Sequence, residues 1–131
     1  MTNFQRTFTT PDQSRRLLGL GLPADSADGF NANVPKGFTD VDVFLIHANE
    51  TYTQRIAEII DHSKERRTGV KKTDYLPCWS VGRLIEIDAI CHKAKETRWT
   101  ITKHTNILEL VYREMVCSIR VGDYDFSKLE E

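Results

Sequence analysis

The chain has 131 residues, of which 40% are apolar and 28% charged, and its formal net charge is -1. That length predicts one domain spanning residues 1–131. A domain of this size buries roughly two thirds of its unfolded surface without staples. Such a composition excludes bulk disorder, and the near-zero charge excludes a whole-molecule polyanion binder or an acidic mimic.

The first helix is predicted from Thr10. Thr10-Pro11-Asp12-Gln13 reads as a capping box with proline at the first helical position. Asp12 adds negative charge where the helix dipole is positive. Leu17 and Leu18 supply a short apolar face, Gly19 and Gly21 stop the helix, and Pro23 prevents its return. From Asp25 to Lys36 the chain is rich in Asp, Asn, Ser, Gly and Pro, and a long surface loop is expected there.

Residues 38–47 alternate Val41, Val43 and Leu45 with Asp40, Asp42 and Phe44, which predicts a strand with one buried face. The partner expected for it is Arg98–Thr102, rich in β-branched and aromatic residues. A second helix is predicted from an Asn49 cap to about Arg67, with Tyr52, Ile56, Ile59 and Ile60 at helical spacing and Gly69 as its stop. A third follows Ser80 as N-cap, with Trp79 just outside it. Val81, Leu84, Ile85, Ile87, Ala89, Ile90 and Cys91 cover most of its circumference, so it should pack on more than one side and end near Lys95.

The fourth helix should start at Asn106, with Glu109 three positions on and a core stripe of Ile107, Leu108, Val111, Met115 and Ile119. Glu109 and Arg113 are placed for an i,i+4 pair, and Gly122 suits the position after the helix. Tyr124 and Phe126 are expected to pack back on the body, and the final residues to fray. The fold class that follows is α+β and helix-dominated, with about four helices and a small two-stranded β element.

Three cysteines, Cys78, Cys91 and Cys117, do not make a disulfide framework. The N-terminus has no apolar core of a secretory signal, and no apolar run approaches the roughly 20 residues of a membrane span. A cytoplasmic location and no membrane partner are the expectations.

No catalytic signature is visible. His47, His62, Cys78, Cys91, His92, His104 and Cys117 lack the short paired spacings of a zinc site, so no metal or other cofactor is expected. Cys78, just before the Ser80 cap, is the most exposed-looking thiol and sits where a helix could lower its pKa. Gly19-Leu20-Gly21 follows a helix, unlike a dinucleotide fingerprint, which follows a strand. Asp40 with Asp42, and Asp123 with Asp125, would each share a strand face, but neither pair sits in a calcium-loop pattern.

Charge is mildly uneven. Residues 1–65 hold 6 Lys or Arg against 9 Asp or Glu, and residues 66–131 hold 12 against 10. The basic stretch from Lys64 to Lys72 contributes Lys64, Arg66, Arg67, Lys71 and Lys72 at a helix end and loop. Those five residues are the candidate phosphate contacts of a nucleic-acid-binding reading. No aromatic interleaves them, so bases have no stacking platform there.

FTTPDQSRRLLGLGLPADSAD near the start, LPCWSVGRLIEI in the middle and DFSKLEE at the end resemble a group of small uncharacterised proteins. These are encoded by gut anaerobic bacteria and by their phages and mobile elements. The resemblance implies an intracellular accessory protein related to phages, and brings no catalytic residue with it. The leading expectation is therefore a protein that binds another protein or a second copy of itself. The alternatives are a nucleic-acid binder using residues 64–72 and a small enzyme whose site assembles only in space.

Overall fold

The computed structural model describes residues 7–32, 43–66, 75–93 and 106–130. The first helix, α1, spans Pro11–Gly19 and starts as the sequence predicts. The Gln13 N–H donates to Thr10 Oγ1 at 3.2 Å, and the Thr10 N–H donates to Gln13 Oε1 at 2.9 Å. Two backbone donors that a helix start leaves without partners are thereby satisfied. Gly21 ends the turn with φ at 103°, a left-handed conformation that a side chain disfavours.

Within the loop expected from Asp25 to Lys36, Gly29–Ala32 is instead the middle strand of a sheet. A 3-10 turn at Ala24–Ser26 leads into β1, Gly29–Ala32. β1 lies between β2, Phe44–Leu45, and β3, Tyr75–Cys78, and both pairings are antiparallel. The β element thus has three strands, where two were expected. β2 pairs with β1, and the partner proposed for it, Arg98–Thr102, lies outside the described residues, as does 38–42.

β1 was hidden because it does not alternate. Gly29, Phe30 and Asn31 are all buried in succession, so both faces of the strand are covered and the period of two disappears. Gly29 serves close packing here. A Cβ on it would lie 2.9 Å from Phe8 Cε2, 3.1 Å from Cys78 Sγ and 3.2 Å from Val43 Cγ1.

The second helix, α2, spans Tyr52–Arg66. Its cap is Thr51, two residues beyond the predicted Asn49. The Gln54 N–H donates to Thr51 Oγ1, and the Thr51 N–H donates to Gln54 Oε1. A reciprocal capping box outcompetes a lone Asn because it satisfies two donors at once. Tyr52 and Ile56 pack on Phe30 to form a small core, with Ile59, Ile60 and Tyr75 at its rim.

Burial pushes the Tyr52 phenol from its usual 10.0 up to about 12, with Cys78 and Tyr75 adding to the rise. A raised folded pKa means that its contribution to stability is complete below pH 10 and is lost as the pH climbs through about 12. An ultraviolet titration should show a tyrosine ionising near pH 12. Tyr52→Phe should remove that phase and lessen the loss of stability between pH 10 and 12. A titration in which Tyr52→Phe and wild type coincide contradicts this burial.

The third helix, α3, spans Val81–Cys91, and Ser80 caps it by accepting from the Arg83 N–H at 3.0 Å. Its described end is four residues earlier than the expected Lys95. Only Leu84, Ile87 and Cys91 are buried along it, while Ile85 and Ile90 are each 40% exposed. The apolar excess expected to be packed on several sides is therefore partly surface.

The fourth helix, α4, spans Ile107–Arg120. Asn106 caps it, accepting from the Glu109 N–H at 3.1 Å. Glu109 takes a hydrogen bond from Gln13 Nε2 rather than pairing with Arg113, which ties α4 to the cap of α1. Leu108, Val111 and Met115 are buried as predicted, whereas Ile107 and Ile119 are only partly buried.

Leu17, Leu22, Trp79, Leu84, Ile87, Leu108, Val111 and Met115 form the larger core, where α1, α3 and α4 meet. The tail closes on it. Gly122, φ 81°, turns the chain. Tyr124 packs edge-on against His92 at 5.5 Å and donates to Asp88 Oδ1, and Phe126 packs beside it. Phe126–Glu130 is a 3-10 turn rather than a frayed end. No helix among the described residues is long and apolar enough to cross a membrane.

Candidate functional site

The basic stretch is only partly placed. Lys64 is exposed near the end of α2, which runs to Arg66. Arg67, Lys71 and Lys72 lie outside the described residues. Cys78, expected to be the most exposed thiol, is fully buried, and Cys117 is the exposed one. Pro77 and Trp79 are buried beside Cys78, so it sits in packing rather than at an open helix end. His92 is buried against Tyr124, His62 is exposed on α2, and His104 lies outside the described residues.

Among the described residues no group of three or more His, Cys, Asp or Glu side chains is arranged to hold a metal ion. Asp40 and Asp42 lie outside the described residues. Asp125 is committed to a local turn. Its carboxylate accepts from Ser127 Oγ at 2.5 Å and the Ser127 N–H at 3.1 Å, and these bonds hold it below the usual carboxylate range.

The structure brings together a surface that the residue patterns do not mark. β2 is the outermost described strand, and Phe44 and Leu45 are 47% and 68% exposed on it. Phe44 stacks on Phe30 with ring centroids 5.3 Å apart. The Ile46 N–H donates to the Asp28 carbonyl at 3.0 Å. In an antiparallel ladder hydrogen-bonded and non-bonded pairs alternate, so Gly29 and Leu45 are a non-bonded pair. The N–H and C=O of Leu45 consequently point away from β1, on the side of β2 where no described strand lies. Strands that offer both backbone groups and an apolar side chain in this way accept further strands readily.

Directly after Leu45, the chain lines one wall of an open cleft of about 420 Å³. Ile46, His47, Glu50 and Thr51 form that wall, the turn Asp25–Asp28 forms another, and Arg83 reaches in from α3. Asp25 Oδ1 accepts from the N–H and hydroxyl of Thr53, at 2.9 and 2.6 Å, supporting the start of α2. Asp28 accepts from the Ser80 N–H at 2.8 Å and from Ser80 Oγ at 2.5 Å, supporting the start of α3. Arg83 Nε donates to the Ser26 carbonyl at 2.8 Å, and its Nη1 lies 3.7 Å from Glu86. Glu50 differs from these: its Oε2 is buried, and among the described residues no group donates to it.

No protein-family model, curated protein or solved structure matches this chain.

Asp25, Asp28, Glu50 and Arg83 come from three separate segments, so no spacing could have joined them. Asp25 and Asp28 were visible only as turn formers. The VFLI run at 43–46 was visible as apolar, but alternation predicted a buried face for Leu45, which the structure turns outward.

Proposed function

We propose that this protein is a non-enzymatic accessory protein of the cytoplasm, of phage or mobile-element origin, that works by binding another protein along the open edge of β2. The observation that carries the reading is Leu45. Its side chain is exposed on the outermost described strand, and its backbone groups face outward. Extended peptides bind such edges through main-chain hydrogen bonds and select partners by side-chain pockets alongside. The three cysteines, all thiols, agree with a reducing compartment. The mobile-element origin rests on the resemblance of the terminal and central segments.

Leu45→Arg tests the surface. Exposed positions change stability by about 0.5 kcal/mol or less, so the variant should melt like wild type. Wild-type protein cross-linked and co-purified from its native host should bring down one stable partner, and Leu45→Arg should lose it. Repeated recovery of the wild type alone sinks the reading. Equal recovery by the variant moves the interface away from β2.

A further inference from the structure

We infer that the segment bound at the β2 edge is an extended peptide carrying a lysine or arginine, whose cationic head enters the cleft beside Glu50. The inference rests on the proposed edge-binding reading and adds the chemistry of the partner. Its first support is continuity. A strand laid along Leu45 continues past Ile46 and His47 at about 3.4 Å per residue, and those two residues already line the cleft. A side chain one or two positions beyond the edge contact therefore reaches it.

Charge complementarity is the second support. Among the described residues, the cleft is lined by the carboxylates of Asp25, Asp28 and Glu50 and by the guanidinium of Arg83. That guanidinium is already directed to the Ser26 carbonyl and Glu86. The Asp25 and Asp28 carboxylates are occupied by hydrogen bonds from the starts of α2 and α3, where helix dipoles favour an acceptor. Glu50 has no such support, because among the described residues nothing donates to its buried Oε2.

A buried carboxylate oxygen left without a donor is costly, and a donor that also carries positive charge offsets both the lost hydrogen bond and the lost hydration. An ammonium or guanidinium group on a long apolar stem fits the remaining lining, since Ile46, Ala27 and Ala48 offer contact to the methylenes. Phosphate-bearing partners are disfavoured by the same carboxylates.

The test is selection of a random dodecapeptide library displayed on phage against the wild-type protein, followed by fluorescence anisotropy with the synthetic winners. Enriched peptides should carry Lys or Arg flanked by apolar residues at alternate positions. Changing that basic residue to Glu should weaken binding about tenfold or more, and affinity should fall as salt rises. Glu50→Gln keeps the shape of the side chain and removes its charge, and it should weaken the basic peptides about tenfold while leaving the melting temperature near that of wild type. N-methylation of the peptide backbone opposite Leu45 should weaken binding as well.

Winners without basic residues, or winners indifferent to Glu50→Gln, overturn the inference. If such winners still lose binding to Leu45→Arg, the edge reading stands and only the partner chemistry falls. If nothing is enriched, the inference falls, and sedimentation of the protein alone then shows whether a second copy occupies the edge. Co-purification with Leu45→Arg tests the edge reading separately.

Discussion

Trp79→Ala should lower the stability of this protein by about 3–5 kcal/mol. Trp79 is fully buried, and its indole lies in the larger core with Leu17, Leu84 and Met115. Truncation to alanine removes most of a large side chain where α1, α3 and α4 converge, and a site bounded by three helices collapses poorly around the void. Polar losses add to this. The indole Nε1 donates to Ser26 Oγ at 3.0 Å, and Ser26 Oγ in turn donates to the Pro23 carbonyl at 2.5 Å. The Trp79 backbone is held as well, since its N–H donates to Thr9 Oγ1 and its carbonyl accepts from the Thr9 N–H. Native domains hold only about 5–15 kcal/mol in total, so the variant should sit close to unfolding. Urea denaturation with an unchanged slope and a much lower midpoint is the expected result. Trp79→Phe separates the terms: it keeps most of the apolar volume and should cost about 1–3 kcal/mol, much of it the lost indole bond. An alanine variant that melts like wild type would contradict the burial of the indole in the larger core.

Three of the four helix starts were legible because each is written within four residues, and only α2 was misplaced, capped by Thr51 rather than Asn49. Thr10 with Gln13, Ser80, and Asn106 all cap as read, and Gly21 and Gly122 take the left-handed turns expected of them. Local chemistry decides those features, so local sequence reveals them. The sheet was less legible because nothing local decides it. Gly29 and Asn31 are turn formers by habit, yet they sit in the central strand. Gly29 is there because Phe8, Cys78 and Val43 crowd its α-carbon, and those neighbours lie in segments far apart in the chain. Tertiary packing overrides composition in such a strand. The candidate surface was illegible for the same reason. Its apolar part could be seen as VFLI, but which face it turned to solvent depended on β1, the strand that was read as loop.

α3 shows the opposite limit. Its apolar residues were all visible, and counting them predicted packing on several sides. Ile85 and Ile90 are nonetheless exposed, while the 3-10 turn of the tail and α4 cover the face bearing Leu84 and Ile87. Periodicity identifies which residues can be buried. How many are buried depends on how many neighbours the topology supplies.

Asp28→Ala should be the second most damaging change, costing about 2–4 kcal/mol. The Asp28 carboxylate holds both the N–H and the hydroxyl of Ser80, and Ser80 Oγ at the same time accepts from the Arg83 N–H to cap α3. The Asp28 carbonyl meanwhile accepts from the Ile46 N–H, so one residue fixes the start of α3 and the register of β2. Hydrogen bonds to a charged acceptor contribute about 1.5–3 kcal/mol each. Alanine removes the carboxylate and leaves the Ser80 N–H, at the N-cap, without its acceptor. Ser80→Ala alone should cost about 1 kcal/mol as a lost cap. The two changes should not add, because Ser80 is held in its capping position by Asp28. A double-mutant cycle should show coupling of about 1–2 kcal/mol. Asp28→Asn keeps an acceptor for the Ser80 N–H and should recover part of the loss. Strict additivity in the cycle would mean that the carboxylate and the cap act independently. In that case Asp28 would contribute through the negative charge it places at the positive end of α3, a smaller effect that salt should screen.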